Sequence, residues 1–195
     1  MRVDPYLDPD SWVLRNKLGI SDRLVLRQAE DDLAGARMAV IAEDASLPAE
    51  YGWPLLSAIH ALLFADVYEW AGTLRKVGIS KDAESQFTPP DSLTAELDAF
   101  EALLADTPDE LRREDLVRYL SELYRTLNHV HPFREGNGRA QRIFWEFFCL
   151  EYGYELRWDL VEKSENDAAC RAGDHGDLEP LLRMFTRIVL KERRP

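Results

Sequence analysis

Four leucines, Leu116, Leu120, Leu123 and Leu127, recur at intervals of three and four, with Val117 and Tyr124 beside them. That period is the repeat of an α-helix with one apolar face. The helix is expected to end at about Val130, because the residue before Pro132 is pushed away from helical angles. A second helical pattern opens at Arg139, with Ile143, Phe147 and Leu150 facing inward and Gly153 as its C-terminal stop. Between these two strong patterns lies a short, glycine-containing polar loop, and the rest of the chain has to be arranged around that unit.

The flanking sequence is helical as well. Ser21 is the expected cap of an earlier helix whose shared face carries Leu26, Ala29, Leu33, Ala36 and Val40, and Pro48 and Gly52 break it. Pro54 is well placed at the start of the next helix, with Leu55, Ile59, Leu62, Leu63 and Val67 inward and Gly72 at its end. Residues 74 to 81, Leu74-Arg75-Lys76-Val77-Gly78-Ile79-Ser80-Lys81, are rich in β-formers and interrupted by glycine, which predicts a small hairpin or flap. After Pro89 and Pro90 a further helix carries Leu93, Leu97, Phe100 and Leu104, and two more are predicted over about 164–172 and 178–192. The expected fold is all-α with one small β-hairpin flap. It is read as a single domain over residues 1–195, with a lead-in and first helix over 1–50 and a core over 51–190.

Charge narrows the function. A net charge of −12 with a pI near 4.8 argues against direct nucleic-acid binding, which would call for a basic surface. An acidic chain that handles an anionic substrate must gather positive charge locally, and Arg134, Arg139 and Arg142 form such a cluster. Cys149 sits in an apolar run and is expected in the core; with Cys170 it makes no metal-type spacing, which fits a reducing compartment. The N-terminus lacks a signal-peptide stretch and no segment is long enough to span a membrane, so a cytoplasmic location is expected.

The loop itself reads His131-Pro132-Phe133-Arg134-Glu135-Gly136-Asn137-Gly138-Arg139, with Arg142 following. The first N–H groups of a helix lack internal partners and carry partial positive charge, so the Gly136-Asn137-Gly138 backbone is a candidate anion cradle. Arg139 and Arg142 lie three apart on that helix and can share a face, and their guanidinium forks suit phosphate oxygens. Glu135 is a candidate ligand for Mg²⁺, which binds through one or two carboxylates plus substrate phosphates. His131 could take a proton from an incoming hydroxyl near neutral pH. Each residue alone has an ordinary reading as a turn, a solvated charge or a helix end. One reaction, attack of a hydroxyl on a nucleotide phosphate, uses all of them in this order. The pattern is neither a P-loop nor a kinase glycine loop.

The segment from His131 to Arg142 resembles the Fic-family signature His-Pro-Phe-x-Asp/Glu-Gly-Asn-Gly-Arg-x-x-Arg at every fixed position. Asp4-Pro5-Tyr6, Val13 to Ile20, Tyr68-Glu69-Trp70-Ala71-Gly72 and Arg75 to Phe87 are similar to Fic proteins too. The resemblance implies transfer of AMP from ATP to a Tyr, Thr or Ser hydroxyl of a target protein, with release of pyrophosphate. His131 would be the general base, and Glu135 would hold Mg²⁺ against the α- and β-phosphates. The Gly136, Asn137 and Gly138 backbone and the Asn137 side chain would form the anion hole. Arg139 would contact the β/γ-phosphates and Arg142 the γ-phosphate. The flap, with Leu74, Lys76, Val77, Ile79 and Lys81, would dock the target as an added strand.

Fic enzymes are commonly inhibited by a helix bearing Ser/Thr-x-x-x-Glu-Gly/Asn, whose glutamate pairs with the second motif arginine, here Arg142. Ser46…Glu50, Ser80…Glu84 and Ser92…Glu96 have the spacing but are followed by Tyr51, Ser85 and Leu97. The expectation is a separate antitoxin carrying that glutamate, and a toxin whose targets are subunits of bacterial DNA gyrase and topoisomerase IV. Alternatives are a secreted effector that modifies host small GTPases and a non-catalytic nucleotide-binding interaction module. A Doc-like kinase would have lysine in place of Gly138 and would lack the second arginine.

Overall fold

The computed structural model describes residues 4–41, 44, 46–80 and 86–192. Seven helices lie among them: α1 (Arg23–Met38), α2 (Trp53–Phe64), α3 (Leu93–Ala105), α4 (Arg113–Val130), α5 (Asn137–Glu151), α6 (Lys163–Asp174) and α7 (Glu179–Ile188). Two short strands, β1 (Tyr154–Leu156) and β2 (Val189–Lys191), pair antiparallel, Glu155 opposite Leu190. The α4 helix sits at the centre, against α3, α5, α6 and α7, while α5 also packs on α2, and α2 on α1. None of the described helices is long and apolar enough to cross a membrane.

The stripe on α4 is buried as its spacing requires: Leu116, Val117, Leu120, Leu123, Tyr124, Leu127 and Val130 all face the core. Each such side chain removed from water is worth about 1.5–3 kcal/mol, so this one face holds much of the domain together. The α3 residues Leu93, Leu97, Phe100 and Leu104 are buried too, and Cys149 is a buried free thiol. On α5 the inward face is broader than the sequence suggests. Ile143 is buried, but Phe144, Trp145 and Phe148 complete the face, Phe147 is only half-buried and Leu150 is exposed. A helix wedged between α2 and α4 buries two sides rather than one stripe.

Four expectations need correction. Asp22, not Ser21, caps α1, accepting from the N–H groups of Leu24 and Val25. The inward face of α1 is Leu26, Glu30 and Ala34, while Ala36 and Val40 are exposed. The α2 helix ends at Phe64, and a series of turns carries the chain on to Gly72. The last helix stops at Ile188, where the chain extends to pair with β1 instead of continuing to residue 192.

The hairpin expected within 74–81 is also displaced. Among the described residues a backbone bridge joins Ser80 to Gln86, so residues 74–80 form one arm and 86–88 the other. Near the base of the arms the main chain also pairs with the end of α4 and the loop after it: Arg75 N–H donates to Pro132 O (2.9 Å) and Thr88 N–H to His129 O (3.2 Å). Leu74, Val77 and Ile79 are half-buried and Lys76 is exposed, whereas Lys81 lies outside the described residues. The lead-in packs beside this region, with Asp4 paired to Arg134 (2.9 Å) and the Tyr6 hydroxyl accepting from Lys76 N–H (3.1 Å).

Candidate active site

The loop from His131 to Gly136 joins the C-terminus of α4 to the N-terminus of α5, and both ends turn through left-handed backbone. His131 has φ 47° and ψ 62°, and Gly136 has φ 82°. A side-chain-bearing residue in that region is strained by about 1–3 kcal/mol and persists where its surroundings over-determine it. Those surroundings are explicit. His131 N–H donates to Leu127 O (3.1 Å), the His131 carbonyl accepts from Arg75 Nε (2.8 Å), and the ring stacks on Phe87 at 3.8 Å. Nδ1 lies 3.1 Å from Asn128 O. A carbonyl only accepts, so Nδ1 carries the proton and Nε2 of the neutral ring is the basic nitrogen.

At the other end, Gly136 begins α5 without any side-chain cap, which leaves the first-turn N–H groups for an outside acceptor. A Cβ on Gly138 would meet nothing, so the approach to those N–H groups is open. Asn137 also braces the loop. Its side-chain oxygen accepts from Phe133 N–H and its amide donates to Phe133 O, both at 2.9 Å. The buried Asn137 side chain therefore closes the loop, while its amide nitrogen carries a second proton and its backbone N–H lies in the first turn of α5.

Glu135 is exposed, accepts from Gly136 N–H (2.9 Å), and stands 3.9 Å from Arg139. No cluster of three metal-binding side chains exists among the described residues. A single outward carboxylate beside an open helix N-terminus fits Mg²⁺ brought with substrate phosphates rather than a pre-formed protein cage.

The two arginines differ. Arg139 is held by α1, with Asp31 at 3.0 Å and with Glu30, which also accepts from the Tyr68 hydroxyl at 2.8 Å. Burial raises the Glu30 carboxyl above its ordinary range, while Arg139 and Tyr68 oppose that rise. Each terminal nitrogen of a guanidinium carries a second proton, so Arg139 keeps donors for an anion. Arg142 lies over the Trp158 ring at 5.5 Å and makes no ion pair among the described residues. Neither Glu50 nor Glu96 pairs with it, and Glu84 lies outside the described residues.

Beneath the cradle runs a column of rings that local sequence patterns do not announce. Phe133 stacks between Trp53 (5.4 Å) and His60 (3.7 Å), His60 packs on Phe64 (4.7 Å), and Arg139 lies over Phe64 at 4.8 Å. His60 is fully buried. Gly72 N–H donates to its Nδ1 (2.8 Å), so its Nε2–H donates to the Glu135 carbonyl (2.9 Å). The one signal in the sequence is a histidine inside the apolar run of α2, just as Glu30 is a carboxylate inside the apolar stripe of α1.

Burial pushes the His60 pKa down to about 4. The unfolded chain takes up this proton first, near the ordinary value of about 6.5. The neutral-His60 contribution is thus complete above about pH 6.5 and is lost as pH falls toward about 4. Urea unfolding of wild type and His60→Gln at pH 7 and pH 5 should show their stability difference shrinking by about 2 kcal/mol at the lower pH.

A left-handed, histidine-bearing helix end thus faces an uncapped, glycine-opened helix start, an arrangement suited to an anionic group beside a proton acceptor. The Fic/DOC family model matches residues 54–149. The chain is 35% identical over 191 residues to "Probable protein adenylyltransferase Fic" of Escherichia coli (strain K12), covering 95% of this chain and 92% of that protein. It is 34% identical over 197 residues to protein adenylyltransferase VbhT of Bartonella schoenbuchensis, covering 94% of this chain and 38% of that one. BepC, a VirB-translocated effector of Bartonella tribocorum with bound AMPPNP, matches with a TM-score of 0.89 at 26% identity, over 96% of this chain and 97% of that one. The Fic domain of a Bep effector from Bartonella quintana with bound ADP gives 0.85 at 26% identity, over 96% and 95%. This chain belongs to the Fic/DOC family.

Proposed function

We propose that the chain is a protein adenylyltransferase that moves AMP from ATP to a hydroxyl of a target protein. The observation that carries this reading is the pairing of a fixed Nδ1–H tautomer at His131 with an uncapped α5 N-terminus one loop away. In the proposed step the target hydroxyl gives its proton to His131 Nε2. Its oxygen then bonds to the α-phosphorus, the α–β bridging P–O bond breaks, and pyrophosphate departs. The backbone N–H groups of Asn137 and Gly138 and the forks of Arg139 and Arg142 would oppose the negative charge that develops on the phosphates. Glu135 would hold Mg²⁺, which supplies further neutralisation when it enters with the nucleotide.

The arms at 74–80 and 86–88 are proposed to receive the target chain. The Val77 and Gly78 amides have no backbone partner among the described residues, which suits an added strand. We further propose that activity is held off by a partner protein whose glutamate reaches Arg142, as in toxin–antitoxin pairs, with DNA gyrase and topoisomerase IV subunits as targets. Likeness to the Fic domains of translocated Bartonella effectors favours a second reading, a translocated effector, for which host small GTPases are the proposed targets.

ATP labelled at the α or the γ position tests the class and the targets together, with gyrase subunits and small GTPases as acceptors. Transfer of the α label alone is expected. Transfer of the γ label would mean a kinase, and no transfer to any acceptor would leave a binding module.

A further inference from the structure

Arg75 is the second-largest side chain in the fully buried core, and among the described residues no carboxylate pairs with it. Among the described residues, four of its five N–H donors go to main-chain carbonyls. Nε donates to His131 O (2.8 Å), one terminal nitrogen to Val77 O (2.9 Å), and the other to Val130 O (3.2 Å) and to Thr88 O. Burial pulls its pKa down to about 10, which leaves it charged at neutral pH.

These four acceptors belong to two structures. Val130 and His131 are the end of α4, where unpaired carbonyls collect partial negative charge that a cation can satisfy. Val77 and Thr88 belong one to each arm of the segment that rises beside the site. One guanidinium therefore grips both arms and the carbonyl of the left-handed histidine. The second arm reaches the same histidine independently, through the Phe87 ring stacked on the imidazole at 3.8 Å. A planar fork fixes the relative positions of several acceptors, whereas an ammonium acts as a point charge.

We propose that Arg75 is a positioning residue for His131, coupling the arms that receive a target chain to the orientation of the base. The inference rests on the adenylyltransferase reading for its kinetic consequence, but not for its structural one. A target chain laid along Val77 bears on the arm whose carbonyl Arg75 holds, and that restraint is passed to the His131 carbonyl through the same group.

The test compares wild type with Arg75→Lys. The variant keeps the charge and loses the fork, so kcat for AMP transfer should fall about 10- to 100-fold and KM for the target should rise. The dissociation constant of AMPPNP should stay within about twofold, because Arg75 touches no part of the α5 cradle. Hydrogen exchange gives a readout that needs no activity. The Thr88 and His131 amides, bonded to His129 O and Leu127 O, should exchange faster in the variant, with the middle of α4 unchanged.

Wild-type kcat in Arg75→Lys, or unchanged exchange at both amides, would overturn the inference. A uniform rise in exchange through α3 and α4 would also overturn it, since Arg75 would then be a general core residue. Phe87→Leu covers the case in which Arg75→Lys does not fold: lower kcat with AMPPNP binding retained is expected, and wild-type kcat counts against coupling. If wild type itself transfers no AMP, the adenylyltransferase reading fails, while the exchange measurement still decides whether Arg75 restrains His131.

Discussion

His131→Ala is expected to lower AMP transfer by about 10²–10⁴-fold, the range that follows loss of a positioned general base. Nucleotide affinity should change little, because the uncapped N-terminus of α5 and the two arginines remain in place. The fold should survive as well. Left-handed backbone at this position is strained for any residue bearing a Cβ, and the Arg75 bond goes to the carbonyl of residue 131, not to its side chain. Rate and AMPPNP titrations on the same preparation check the separation. A variant that keeps the wild-type rate removes His131 from the reaction.

Gly136→Ala should act in the opposite sense, by breaking the support of the site. An added Cβ would come within 2.5 Å of Phe64 Cε2 and 3.1 Å of His60 Nε2, at a backbone φ of 82°. Neither ring can give way. Phe64 is fully buried under Arg139, and His60 is held at both nitrogens. Left-handed strain and overpacking together give an expected loss of about 2–4 kcal/mol. The loop should also shift, so AMPPNP affinity falls with stability. Gly138→Ala supplies the contrast, because its Cβ meets only open space. Stability there should stay within about 1 kcal/mol of wild type. Nucleotide binding should weaken, because that space is where an anion would approach the α5 N–H groups. Chemical denaturation and AMPPNP titration of the two variants separate these outcomes.

Much of this arrangement is legible in the amino-acid sequence. The stripes of α3 and α4 are long and strictly periodic, and the loop between α4 and α5 is contiguous, so local pattern is enough to find both. The departures lie where distant segments decide. Periodicity assigns the α1 stripe to apolar residues alone, yet Glu30 faces inward because Arg139 and Tyr68 compensate its burial. Val189–Lys191 continues an apolar run after α7 and becomes a strand only because Tyr154–Leu156 lies beside it. The arms near the site pair with the 129–132 backbone before they pair with each other, which no local rule anticipates.

The same division runs through the site. Residues 131 to 142 are adjacent in sequence and carry the family signature. The groups that set their geometry, His60 from α2, Glu30 from α1 and Arg75 from the segment before α3, come from far along the chain. Of the signature residues, Asn137 has a role that local pattern does not announce: its side chain closes the loop through Phe133.

Intact-mass analysis of an acceptor protein after incubation with the chain, Mg²⁺ and ATP tests the central claim most directly. A gain of one AMP unit with the wild-type chain, absent with His131→Ala, is the predicted result. A gain of one phosphate, or an AMP gain that persists in His131→Ala, would contradict it.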